Sequence, residues 1–235
     1  MTHLSSNVVS AGLVGGVSVL LSPTTTAMFQ TAGMLSADGR CKAIDAAADG
    51  YVRGEGCGVI FLQEQEANVD HADLADVLAV FRGSAVNQDG RSSSLTAPNG
   101  PSQQAAIRQA LQASVLEPQN VTGVQLHGTG TPLGDPIELG AIQAVLMGSS
   151  QRAVPLQVAA AKSWVGHTEA ASGVIGLLQA ALGLQQLTAP GELSVNCPCN
   201  MLQVDVDMPI PPVSHQHTVV MNVHMANAMP KLSGL

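Results

Sequence analysis

The chain has 235 residues, a formal net charge of −8 and 46% hydrophobic residues, enough apolar material for one large domain or two small ones. Its nine Lys and Arg are scattered singly, so no basic stripe exists to neutralise phosphates, and a nucleic-acid partner is not expected. The longest apolar stretches, Ala11 to Leu21 and Gly173 to Leu184, are shorter than the ~20 residues a membrane helix needs. Cys41, Cys57, Cys197 and Cys199 are too few and too unevenly spaced for a disulfide framework. The opening "MTHLSSNVVSAGLVGG" lacks the Lys/Arg region of a signal or presequence, which predicts a cytoplasmic setting.

In chain order, strands alternate with helices, the pattern of an α/β layered domain. "GGVSVLL" (15–21) reads as a short buried strand; Ser22 then caps, and Pro23 opens, a helix through Ala32 that ends at Gly33. "GCGVIFLQ" (56–63) and "ADVLAVFRG" (75–83) read as two more strands. The polar "EQEANVDHAD" between them is the expected boundary between two halves. "GPSQQAAIRQALQAS" (100–114) places apolar residues at 106, 107, 110, 111 and 113, a one-sided helical stripe.

"VTGVQLH" (121–127) is a strand ending at a histidine, and in the following "DPIE" Asp135 is expected to cap a helix with Glu138 reaching back. The same grammar recurs: "VPLQVAAAKS" (154–163) as strand, "WVGH" as loop, and 168–187 as a helix capped by Thr168, apolar on every face and so expected to be buried. From Thr188 onward the texture becomes Pro-rich and irregular.

Two strand-to-helix switches thus each deliver a histidine, His127 and His167, with Lys162 five residues before the second. Open α/β sheets place their sites at such switches. Imidazole N–H groups can hold a carbonyl oxygen while negative charge gathers on it. Lys162, if buried, needs a carboxylate, for which Glu169 and Asp135 are the nearest candidates. Thr129 and Thr131 put hydroxyls on a glycine-rich turn that could grip a thin, amide-bearing substrate arm. On spacing alone, a capping turn beside a packed helix explains the same residues equally well.

The segments "DGYVRGEGCGVIFL" (49–62), "GSAVNQDGRSSSLTAPNGPSQ" (83–103), "HGTGTPLGDPIELGA" (127–141) and "KSWVGHTEAASGVIG" (162–176) resemble, in that order, motifs of β-ketoacyl synthase domains from modular polyketide synthases. The likeness runs from about Gly15 to about Leu193. It implies a thiolase-like layered α-β-α-β-α fold with the first half incomplete. Residues 1–66 would be a remnant of the N-terminal half, 67–193 the C-terminal half and 194–235 a divergent tail. The implied reaction joins an acyl thioester to a malonyl unit on acyl carrier protein by decarboxylative condensation.

By the same resemblance His127 and His167 assist decarboxylation and hold the thioester oxygen, and Lys162 orients them. Thr129 and Thr131 hydrogen-bond the phosphopantetheine arm, while Asp135 and Glu169 form a supporting network. No cofactor or metal is bound directly; the partners implied are acyl carrier protein and a second copy or a complementing ketosynthase half. Fatty-acid synthases share these motifs, but "NQDG" and "TAPNGPSQ" lean toward the polyketide type.

The family carries its acyl group on a cysteine in a stretch like "DTACSS", upstream of the segment that 15–21 matches, and this sequence contains no such stretch. Condensation by this chain alone is therefore not expected; a noncatalytic module that binds carrier-borne acyl groups and an inactive truncated product are the competing readings. Cys41 and Cys57 are expected to be inert structural thiols. "CPC" (197–199) with "HQH" (215–217) offers four soft ligands, but a single-residue gap is unfavourable for zinc, and loop residues are the expectation. The family's Gly-rich closing segment has only an echo in Asn227 and Ala228. Trp164 stands where the family usually has Asn; of its two readings, filling the pocket or packing against the core, packing is the expectation.

Overall fold

The computed structural model describes residues 9–64, 77–92, 97–148, 152 and 154–188. Two small sheets flank one long helix. Strand β1 (Ala11–Ser18) pairs antiparallel with β2 (Gly56–Gln63), Ala11 opposite Gln63 and Ser18 opposite Gly56. Between them, α1 (Pro23–Thr31) starts as expected: Ser22 accepts a hydrogen bond from the Thr24 N–H, and proline occupies the first turn. The first strand begins earlier than its apolar run suggested, because its register is set by pairing with β2 and not by hydrophobicity.

The second sheet pairs β3 (Gly123–Gln125) parallel with β4 (Gln157–Ala159). Its outer cover is α2 (Gly100–Ser114) and α3 (Gly134–Leu146). Asn99 caps α2 by accepting from the Ser102 N–H at 3.1 Å. The helix buries Gln103, Ala106, Ile107, Ala110, Leu111 and Ser114, the three-and-four spacing of one face. Ile107 and Leu111 meet Val121, Leu126, Ile142, Val145 and Leu146 in a continuous core. Arg152 ties the surrounding loops, its guanidinium donating to the carbonyls of Pro118 and Leu146 at 3.0 Å each and to that of Val121.

A one-turn helix, α4 (Lys162–Val165), follows β4, and after a 3-10 turn at Glu169–Ala171 the chain enters α5 (Ser172–Thr188), which packs on β1, β2 and β3. Thr168 does not cap it: the side chain makes no capping hydrogen bond, because the intervening turn moves the helix start to Ser172. Nor is α5 enclosed. Most of its described side chains are half-buried and Leu182 is exposed, since the sheets cover it from one side only.

Residues 77–83 form no named strand, because a strand needs a ladder and none runs along them among the described residues. One face of the first sheet carries Leu13, Val17, Val59 and Phe61 exposed, with Leu13 opposite Phe61 in register. The expected boundary at 64–73 falls, from residue 65 on, outside the described residues, as do the tail with Cys197, Cys199, His215 and His217, and Asn227 and Ala228.

Candidate active site

His127 sits just beyond β3, where the chain turns toward α3. Its N–H donates to Glu138 Oε1 at 2.6 Å, and the Gly128 N–H donates to Oε2 at 2.9 Å. Asp135 repeats the arrangement one turn earlier in the helix, accepting from the Gly130 N–H at 3.2 Å and from the Ile44 N–H at 2.9 Å. The expected capping box is thus corrected. Asp135 in the first turn and Glu138 in the next fold back over the preceding loop, the cap residue Leu133 makes no side-chain capping bond, and Thr131 Oγ1 accepts from the Gly134 N–H at 3.2 Å. Both carboxylates are buried, and helix N-terminus and backbone N–H groups together offset their charge. Burial still pushes the Glu138 carboxyl upward, against the pull of its two N–H donors.

The turn requires glycine at residue 130: φ is +76°, and a Cβ there would lie 2.6 Å from the Lys42 nitrogen. Thr129 is buried, and its hydroxyl lies 3.2 Å from that of Thr131.

Lys162 is buried and donates to the His127 carbonyl at 2.7 Å, with Nζ 3.4 Å from His127 Nδ1. The expected pairing with Asp135 or Glu169 does not occur. Both Asp135 oxygens are taken by backbone N–H groups, and Glu169 is paired with Arg53. Burial lowers the Lys162 pKa, while the fields of Glu138, Cys41 and Asp135 oppose that, Glu138 most.

His167 comes from the second switch and is pinned by backbone to the segment before β2. Its N–H donates to the Val52 carbonyl at 2.7 Å, and its carbonyl accepts from the Gly54 N–H at 2.9 Å. The ring Nδ1 accepts from the Glu169 N–H at 3.0 Å. Burial, aided by the Lys162 charge and opposed by Glu169, depresses the imidazole pKa to about 4, so the ring is neutral at physiological pH. An imidazole whose Nδ1 accepts carries its proton on Nε2.

The two histidine rings stand 5.5 Å apart between centroids at 88°, and Tyr51 packs edge-on to His167 at 5.2 Å. The structure therefore brings His127, His167, Lys162, Thr129 and Thr131 to one region, with Asp135 and Glu169 supporting their turns. Beside them opens a cavity of about 310 Å³ lined by Cys41, Val52, Lys162, Trp164 and Gly166 among others. Trp164 is 56% exposed. It does not pack into the core as expected, because it projects from a helix of one turn that has only one buried residue, Lys162.

The Cys41 thiol is buried, accepting from the Val52 N–H at 3.3 Å and donating to the Val52 carbonyl at 3.7 Å; burial pushes its pKa up. Cys57 is exposed on β2. Sequence reasoning missed Tyr51, Arg53 and the clamp made by Glu138. A signal existed for Arg53, one of few charges in a chain only 11% charged, set against a run of glycines. No group of three or more metal-ligating side chains occurs among the described residues, and no described helix is long and apolar enough to cross a membrane.

Comparison with known proteins fits this geometry. Residues 78–196 match the family model for the β-ketoacyl synthase C-terminal domain, and residues 1–68 match that for the N-terminal domain. A phenolphthiocerol/phthiocerol polyketide synthase polypeptide of Mycobacterium tuberculosis is 49% identical over 77% of this chain, and polyketide synthase GfsE of Streptomyces halstedii is 46% identical over 86%. The chain spans 8% and 5% of those proteins.

Among solved structures, the ketosynthase from module 6 of the bacillaene synthase of Bacillus subtilis 168 superposes with a TM-score of 0.73 at 37% identity. That match covers 79% of this chain and 33% of the other. An oxazolomycin ketosynthase domain of Streptomyces albus gives 0.72 at 33% identity, covering 78% and 32%. The α/β layers are those of the thiolase-like ketosynthase fold. The chain belongs to the β-ketoacyl synthase family and corresponds to part of a ketosynthase domain of the modular polyketide synthase type.

Proposed function

We propose that this chain supplies the decarboxylation half of a ketosynthase site, with His127 and His167 as paired donors to a thioester oxygen, Lys162 orienting His127, and Thr129 and Thr131 holding the phosphopantetheine arm of an acyl carrier protein. The observation that carries this reading is the pair of perpendicular imidazoles 5.5 Å apart, both with Nδ1 facing an N–H donor. An ammonium can only donate, so protonated Lys162 at His127 Nδ1 leaves the proton of that ring on Nε2 as well.

Two imidazole N–H donors then face the carbonyl oxygen of a malonyl thioester. As the bond between the malonyl methylene and its carboxylate breaks, CO₂ leaves, and the electron pair delocalises onto that oxygen as enolate. The donors stabilise the charge where it develops. Without an acyl-enzyme to attack, the enolate takes a proton from water and gives an acetyl thioester.

Condensation additionally needs a nucleophilic thiol. Cys41 is unsuited, being buried, hydrogen-bonded and raised in pKa. The division into an N-terminal part (1–66), a C-terminal part (67–193) and a tail, the cytoplasmic setting and pairing with a second copy belong to the same reading.

The test is release of CO₂ from malonyl carrier protein by the purified chain. Slow turnover that falls at least ~100-fold in His127→Ala or His167→Ala supports the proposal; no turnover, or turnover indifferent to both substitutions, refutes it.

A further inference from the structure

The Arg53 side chain is 8% exposed, deep for a charge in this protein. All three guanidinium nitrogens are engaged. Nε and Nη2 donate to Glu169 Oε1 and Oε2 at 2.7 and 3.2 Å, a bidentate pair, and Nη1 donates to Thr26 Oγ1 at 2.8 Å. The plane also lies over the Phe29 ring, 5.3 Å from its centroid. Such a fork fixes the position of the carboxylate as well as its charge.

Glu169 needs holding. Its φ of +43° is one of three positive values at non-glycine residues among those described, a conformation that persists only where the surroundings impose it. Its backbone N–H is the donor to His167 Nδ1. The same residue thus carries the strained backbone, the carboxylate that Arg53 grips and the N–H that orients the imidazole. The Arg53 backbone meanwhile pairs with that of His167 in a parallel bridge, flanked by the hydrogen bonds of Val52 and Gly54.

We infer that Arg53 is a positioning residue for the His167 imidazole: through its bidentate grip on Glu169 it maintains the turn whose N–H occupies Nδ1, and so keeps the proton on Nε2. The catalytic meaning of this device rests on the function proposed above. The tautomer itself does not.

The experiment is long-range ¹H–¹⁵N correlation of imidazole nitrogens in the full chain labelled with ¹⁵N-histidine, at pH 7.5, with His167 assigned by its loss in His167→Asn. The parent should show one tautomer, with Nε2 protonated. Arg53→Met and the isosteric Glu169→Gln should each admit about a tenth or more of the Nδ1-protonated form, and Arg53→Lys, which keeps the charge without the fork, should recover part of the order. Variants that lose thermal stability yet retain a single His167 tautomer would overturn the inference and leave Arg53 a purely structural residue. Should Arg53→Met fail to fold, Glu169→Gln alone decides by the same criterion. A shifted tautomer alongside CO₂ release indifferent to both His127→Ala and His167→Ala would support this inference while refuting the proposed function.

Discussion

The depressed pKa of His167 makes stability depend on pH in a window that can be stated beforehand. The unfolded imidazole titrates near 6.5 and the folded one at about 4. Between those values the unfolded chain binds a proton that the folded chain refuses, so stability increases with pH across the window. The contribution is complete above 6.5 and is lost as pH falls through about 4.

At about 1.4 kcal/mol per unit, the full shift is worth about 3.5 kcal/mol; partial exposure of the ring and solvent screening reduce the expected loss to about 2 kcal/mol. The assay is urea denaturation of the parent and of His167→Asn at pH 7.0, 5.5 and 4.0. Other titrating groups contribute equally to both proteins, so the difference in slope belongs to His167. Identical pH slopes, or a directly titrated His167 within half a unit of 6.5, would show that burial is not what governs this ring.

Removing Glu138 as Glu138→Ala leaves the N–H groups of His127 and Gly128 without acceptors and should cost about 2–4 kcal/mol of unfolding free energy. Glu138→Gln, which keeps one acceptor oxygen, should lose about half as much; equal stability of all three proteins in denaturant would contradict the clamp. Iodoacetamide should alkylate exposed Cys57 at least ~10-fold faster than buried Cys41 in folded protein, with peptide mass spectrometry resolving the two and urea abolishing the difference.

Where local chemistry is sufficient, the sequence is legible. Ser22 with Pro23, and the apolar stripe of 100–114, specify their helices through contacts within a turn or two. β2 matches its apolar run residue for residue. The approach of His127 to His167 is foreseeable because both lie at strand-to-helix switches. Partners distant in sequence are not foreseeable by the same means. Nothing local indicates that Ile44 donates to Asp135, or that Glu169 bypasses Lys162 for Arg53. Acidic residues just inside a helix read as caps by pattern, yet Asp135 and Glu138 fold backward because the N–H groups of the glycine turn lie nearer than the open end of their own helix. Trp164 misleads because size predicts burial only when an element is long enough to press the side chain against a neighbour.

The segment 52–54 meets residues 167–169 across a separation of more than one hundred residues, 116 for the Arg53–Glu169 pair. Closing so long a loop is entropically slow compared with forming helices. On a ribosome, the segment that seats His167 therefore waits, already synthesised, until its counterpart emerges. The imidazole pair can come together only after most of the described chain exists, so a native spectroscopic signature from residue 167 reports completed folding of the molecule and not the maturation of one loop.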